Sequence, residues 1–120
     1  MDIVKVGRIE KALARWPGTF ETRIFTEGET AYSEAKKHPA LHLAARFAAK
    51  EAAFKALGTG YSGGVSWKDA EVVSDGGKPK LVLSGRLGEV AAGMGVLAAH
   101  LSLSHDADYA VAYVILTGEV

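Results

Sequence analysis

The stretch from Ala44 to Gly60, AARFAAKEAAFKALGTG, constrains the fold more than any other part of the chain. At about 100° per residue, Ala44, Ala48 and Ala52 form one strip of small side chains, Ala45, Ala49 and Ala56 a second, and Leu43, Phe47 and Phe54 a bulky third. A helix apolar nearly all round is a buried one, yet this one carries four charges. Arg46 and Lys50 lie one turn apart, as do Glu51 and Lys55. Burying such charges is costly unless they are paired or hold something charged. In one reading Glu51 and Lys55 form an i,i+4 ion pair worth about 0.3–0.5 kcal/mol, with Arg46 and Lys50 at a solvated edge. In the other, the carboxylate and the cations hold a metal-bound polyphosphate, the metal on the Glu oxygen and the cations on phosphate oxygens.

The surrounding pattern supplies the partners of this helix. His38-Pro39 restarts the chain and Gly58-Thr59-Gly60 stops it, so the helix runs from Pro39 to about Leu57. Asp2 to Val6 is a short strand. Ile9, Ala12, Leu13 and Trp16 recur at helical spacing from Gly7 to Trp16, with Arg8, Lys11 and Arg15 as a basic ridge behind them. That ridge is either a plain solvated face or a docking surface for an acidic partner. Thr26 stands three residues before Glu29 in a capping box for a helix over about 27–37. Strands are predicted over Val65 to Ser74 and Lys80 to Ser84 around the turn Asp75-Gly76-Gly77-Lys78-Pro79, then a helix from Leu87 to Met94. A last strand pair, Val96 to Ser104 and Tyr109 to Leu116, flanks His105-Asp106-Ala107-Asp108. Helices early and strands late predict an α+β fold, an antiparallel sheet packed against the long buried helix.

With 120 residues and 48% hydrophobic content, the chain is expected to form a single domain, 1–120. Cysteine is absent, which excludes disulfides, thiolate zinc sites and thiol redox chemistry. No apolar run approaches about 18 residues and no signal peptide is visible, so no membrane association is expected and a soluble, cytoplasmic protein is the default. Net charge is zero, which argues against nonspecific nucleic-acid binding. Residues 1–60 nevertheless hold ten Lys or Arg against seven Asp or Glu, leaving room for a locally basic face.

His38 and His42 are four apart but lack a third ligand or an HExxH pattern, so a zinc site is not expected there. In LSLSHD, Ser102 and Ser104 put hydroxyls on one strand face and His105 stands at the strand end, as a plain turn residue or a phosphate ligand. No Walker loop, GxGxxG or Ser-His-Asp order appears. A metal-assisted transfer between two bound substrates needs none of these, only a metal ligand, phosphate clamps and a docking face.

The stretch Asp2 to Glu10, RIFTEGE (Arg23 to Glu29), AARFAAKEAAFKALGTG, the GGKP turn and LSLSHDADYAVAYV, taken together and in order, closely resemble the holo-acyl-carrier-protein synthase family of 4′-phosphopantetheinyl transferases. The resemblance covers nearly the whole chain and implies the phosphopantetheinyl transferase fold. It implies a Mg²⁺-dependent enzyme that moves the phosphopantetheine arm of coenzyme A to a serine of apo-acyl carrier protein and releases adenosine 3′,5′-bisphosphate. It also implies a homotrimer with active sites at subunit interfaces.

By motif, the resemblance makes Asp2 and Glu51 the Mg²⁺ ligands and gives Lys55 a phosphate to hold. Arg46 and His105 match positions near the 3′-phosphate of coenzyme A. The turn Gly76, Gly77, Lys78, Pro79 matches a segment lining the adenosine pocket from a neighbouring subunit. The helix bearing Arg8, Lys11 and Arg15 matches the surface that receives the acidic carrier. Two candidates remain for the general base, Glu51 itself or a water on the ion. One departure stands out: the family carries a short apolar, glycine-containing strand start before this aspartate, whereas Asp2 here follows Met1, and a ligand so placed is expected to fray unless strand pairing holds it. Two other functions follow if the metal site is lost: a non-catalytic module binding coenzyme A or carrier protein, or a structural trimer in which Glu51 and Lys55 merely pair.

Overall fold

The computed structural model describes residues 1–118, and of Asp75 the backbone alone. Along the chain the elements are β1 (Asp2–Lys5), α1 (Val6–Arg15), α2 (Thr19–Ile24), α3 (Glu27–Glu34), α4 (Pro39–Leu57), a 3-10 turn (Trp67–Asp69), β2 (Ala70–Asp75), β3 (Lys78–Leu83), α5 (Gly85–Gly93), β4 (Val96–His105) and β5 (Tyr109–Gly118). The fold is α+β, but its strands form two antiparallel sheets rather than one: β1-β5-β4 and the hairpin β2-β3.

α4 is the axis of the molecule. Pro39 opens it at a position where a missing N–H costs nothing, and Gly58 closes it in the left-handed conformation at φ 73°. Its alanines let neighbours approach closely: Ala44, Ala48, Ala49 and Ala53 are fully buried, as are Ala110 and Ala112 on the facing strand β5. Leu43, Phe47, Phe54 and Leu57 fill the same core with Val4, Ile9, Phe25 and Leu87. Ala56, placed by periodicity in a buried strip, is exposed.

Several elements differ from those predicted. The residues from Thr19 to Ile24 form a helix that sequence alone left unassigned, because Phe20 and Phe25 are fixed edge to face by tertiary packing at 6.0 Å. The helix after Thr26 has the expected capping box but ends at Glu34, three residues early. Val65 to Asp69 is not strand: Ser66 and Asp69 form a second capping box around the 3-10 turn, and β2 starts at Ala70. The turn between β2 and β3 narrows to Gly76 and Gly77, at φ 59° and 87°, a two-residue reversal only glycine adopts freely at both places. Lys78 and Pro79 therefore belong to β3, with Pro79 opposite Ser74.

Candidate active site

β1 passes into α1 with no intervening loop, and the Val6 N–H donates to the Asp108 carbonyl at 2.8 Å, clamping the junction to the residue that leads into β5. This junction packs on α4 and brings Asp2 and Arg8 to the side of that helix carrying Glu51 and Lys55. Fraying of Asp2 is not observed. It pairs with Ala112 across β1 and β5, and only 8% of it is exposed.

Glu51 is half-buried, and three charges act on it. Burial pushes its pKa up, Asp2 pushes it further in the same direction, and Arg8 and Lys55 oppose both. The expected i,i+4 pair of Glu51 with Lys55 is not what forms. Lys55 Nζ instead reaches Asp2 Oδ1 at 2.9 Å, and that hydrogen bond and charge hold the lysine above its ordinary range. Asp2 has the better claim because its carboxylate is buried and fixed by the strand. Its other oxygen, Oδ2, is buried with no hydrogen-bond partner among the described residues.

Two carboxylates from different elements, one with an orphaned buried oxygen, suit a hard divalent cation with oxygen ligands. Among the described residues no group of three or more His, Asp or Glu gathers into a closed metal cage.

The other two cations of α4 are not at a solvated edge. Lys50 is fully buried, and all three of its N–H bonds are spent: on Glu29 Oε1 at 2.8 Å, the Ala70 carbonyl at 2.7 Å and the Trp67 carbonyl at 3.0 Å. Glu29 in turn accepts from the N–H of Thr26 and of Val72. Lys50 is therefore structural and holds no phosphate. Arg46 is 3% exposed, its guanidinium stacked 4.1 Å over the ring of Tyr32, with a long hydrogen bond from Nη1 to the His42 carbonyl at 3.4 Å.

Arg46 and Glu51 are five positions apart, about 140° around the helix, so they look out on different sides of α4. On the Arg46 side His42 and His105 meet edge to face at 5.2 Å, and Tyr32 packs edge to face on His42. Burial, then the charges of His105, Arg46 and Lys36, lower the pKa of His42. The β2-β3 hairpin reaches this cluster through Ser74, which hydrogen-bonds the Tyr32 phenol and lowers its pKa together with Lys36 and Arg46. The structure thus separates the predicted site residues into Asp2, Glu51, Lys55 and Arg8 on one side and Arg46 and His105 on the other, with Ser74 of the hairpin beside the second group. Tyr32 and Lys36 were not expected here. Tyr32 is three residues beyond the capping Glu29, and its link to Arg46 is a tertiary contact with no local signature.

The basic ridge of α1 borders an open groove of about 870 Å³, lined by Arg8, Lys11, Arg15, Trp16, Phe20 and Tyr109 among others. Arg15 lies 4.9 Å over Trp16 and Arg8 lies 5.2 Å over Phe47 of α4. Arg8 therefore joins the groove to Glu51.

A family model described as the 4′-phosphopantetheinyl transferase superfamily matches residues 1–114. The chain belongs to that superfamily. Among curated relatives, the holo-[acyl-carrier-protein] synthase of Geobacter sp. (strain M21) is 52% identical and that of Koribacter versatilis 50% identical, each over 117 residues that make up 97% of this chain and 94% of the relative. Among solved structures, the holo-[acyl-carrier-protein] synthase of Neisseria meningitidis superposes with a TM-score of 0.87 at 34% identity, over 97% of this chain and 94% of that one. The Helicobacter pylori synthase in complex with coenzyme A gives 0.84 at 31%, over 97% and 96%. The transferase is thus an enzyme of the holo-[acyl-carrier-protein] synthase type, and its α+β architecture is that of these synthases. Among its described residues, no helix is long and apolar enough to cross a membrane.

Proposed function

We propose that this transferase moves the 4′-phosphopantetheine arm of coenzyme A to a serine of apo-acyl carrier protein, with Mg²⁺, and releases adenosine 3′,5′-bisphosphate in the cytoplasm. The observation that carries this reading is the convergence of Asp2, Glu51 and Lys55 beside the basic groove at Arg8. The curated relatives are named for action on acyl carrier protein, and the Helicobacter pylori relative holds coenzyme A.

In this reading Asp2 and Glu51 hold the ion, which when bound neutralises charge on the donor diphosphate. Lys55, 68% exposed at its side chain, swings from Asp2 to a phosphate oxygen. The carrier serine oxygen bonds to the phosphorus that bears the pantetheine arm as the bond to the adenosine bisphosphate breaks. The serine proton passes to Glu51 or to a water that Glu51 holds. Arg8, Lys11 and Arg15 seat the acidic carrier in the groove, and Arg8 brings the reacting serine to Glu51. Arg46 and His105 take the 3′-phosphate, with Gly76 to Pro79 against the adenosine.

A homotrimer with shared sites accounts for the split between the two clusters, since a neighbouring copy supplies the Arg46 side to the Glu51 side. The outward face of β1-β5-β4 supports assembly: Ile3, Tyr113 and Ile115 are each more than half exposed on the face opposite α4. Ile115→Lys is expected to give monomers by sedimentation and to lose transfer activity in proportion, with the fold retained because the residue is already 58% exposed. A trimer with full activity in this variant would remove the assigned interface.

The direct test mixes the protein with coenzyme A, Mg²⁺ and several apo-carrier proteins. Mass spectrometry is expected to show the phosphopantetheine mass on the carrier serine, with equimolar adenosine 3′,5′-bisphosphate and dependence on the added ion. No mass gain on any carrier would overturn the reading.

A further inference from the structure

We infer that Tyr32 is a positioning residue that keeps the Arg46 guanidinium ready for the 3′-phosphate of the donor; this rests on the reading of Arg46 given above. Arg46 is a buried cation whose nearest acidic neighbour is already committed, because Glu29 is engaged by Lys50 and by the N–H groups of Thr26 and Val72. Arg46 Nε is buried and has no hydrogen-bond partner among the described residues. What lies against the guanidinium instead is the face of Tyr32, 4.1 Å from its central carbon.

The difference between a ring and a carboxylate is the point. A carboxylate would stabilise the buried cation but would also use its N–H groups, and an incoming phosphate would have to displace it. The negative face of an aromatic ring stabilises the cation through its quadrupole and takes up less of the N–H edge: Nη1 makes one long bond to the His42 carbonyl, the Tyr32 phenol accepts another, and Nε has no partner among the described residues. Tyr32 is itself held from several sides. Ser74 hydrogen-bonds its phenol, Lys36 Nζ lies 4.7 Å from its ring, and His42 packs edge-on at 5.8 Å with His105 beyond it. The ring is the common surface for Lys36, just beyond α3, and for Arg46 and His42 of α4, with His105 of β4 behind His42.

The test compares coenzyme A with dephospho-coenzyme A, which lacks only the 3′-phosphate. Tyr32→Leu is expected to raise KM for coenzyme A by about tenfold, leaving kcat and the KM for dephospho-coenzyme A near wild type. Tyr32→Phe keeps the face but loses the phenol's bonds to Ser74 and Arg46, and is expected to lose far less than Tyr32→Leu. If Tyr32→Leu raises both KM values equally, or neither, the inference is overturned. It is also overturned if Tyr32→Phe loses as much as Tyr32→Leu. Should Tyr32→Leu not fold, Tyr32→Met serves the same comparison. Arg46→Met separates the two levels of the argument. If it leaves the preference for coenzyme A over dephospho-coenzyme A intact, the assignment of Arg46 itself fails. If it erases that preference while Tyr32→Leu does not, only the role of Tyr32 fails.

Discussion

Glu51→Gln is expected to lower transfer by about 10²–10³-fold, the scale seen when one preorganised electrostatic group is removed from a reacting centre. The metal-free protein is expected to be no less stable for the change. Burial and the neighbouring Asp2 both disfavour the ionised form of Glu51, so its charge works against folding until an ion arrives. A carboxyl whose pKa rises on folding contributes stability that is fully present below the ordinary carboxylate range and is lost as pH climbs through the raised value. The glutamine cannot titrate. Relative to wild type, Glu51→Gln should therefore gain stability as pH rises from the acid side to neutrality, as read by thermal denaturation in chelator. Adding Mg²⁺ should raise the melting temperature of wild type and not of the variant. A variant destabilised at neutral pH in chelator would show that Glu51 is a structural carboxylate.

Lys50→Met should produce the largest loss of stability of any single change on α4. The substitution strands the Glu29 carboxylate at zero exposure, and breaking a buried ion pair from one side costs about 3–5 kcal/mol. The carbonyls of Trp67 and Ala70 lose a donor at the same time. For a chain of this size the melting temperature should fall on the order of 10 °C or more. Pairing the change with Glu29→Leu removes the stranded charge but leaves the N–H groups of Thr26 and Val72 without their acceptor, so the double variant should recover only part of the loss. Urea denaturation of the four proteins gives the coupling directly. A single Lys50→Met variant within about 1 kcal/mol of wild type would contradict the assigned network.

Where local chemistry decides, the sequence was readable. Pro39 and Gly58 bound the long helix, Thr26 and Glu29 form the box they spell, and Gly76-Gly77 makes the hairpin. The superfamily and the α+β class followed from motifs spread over the chain. The partners of the charges on α4 were not readable, because each lies far away in sequence. Helix spacing offers Lys55 to Glu51, yet a strand at the other end of the first half of the chain supplies the buried Asp2 that takes it. The same spacing pairs Lys50 with Arg46, while burial sends one to Glu29 and the other to Tyr32. Period and propensity say which residues share a face; they do not say what will be packed against it.

The β2-β3 hairpin shares no strand ladder with the other sheet, and a single ammonium group on α4 reaches α3, the 3-10 turn and the start of β2 at once. Detaching α3 leaves two unpaired charges in hydrocarbon, and detaching the turn or β2 leaves a buried N–H without its acceptor, so the three are coupled. Amide protons of α3 and of β2 should accordingly exchange with solvent deuterium through one shared opening event, though more than forty residues of chain lie between Glu29 and Val72.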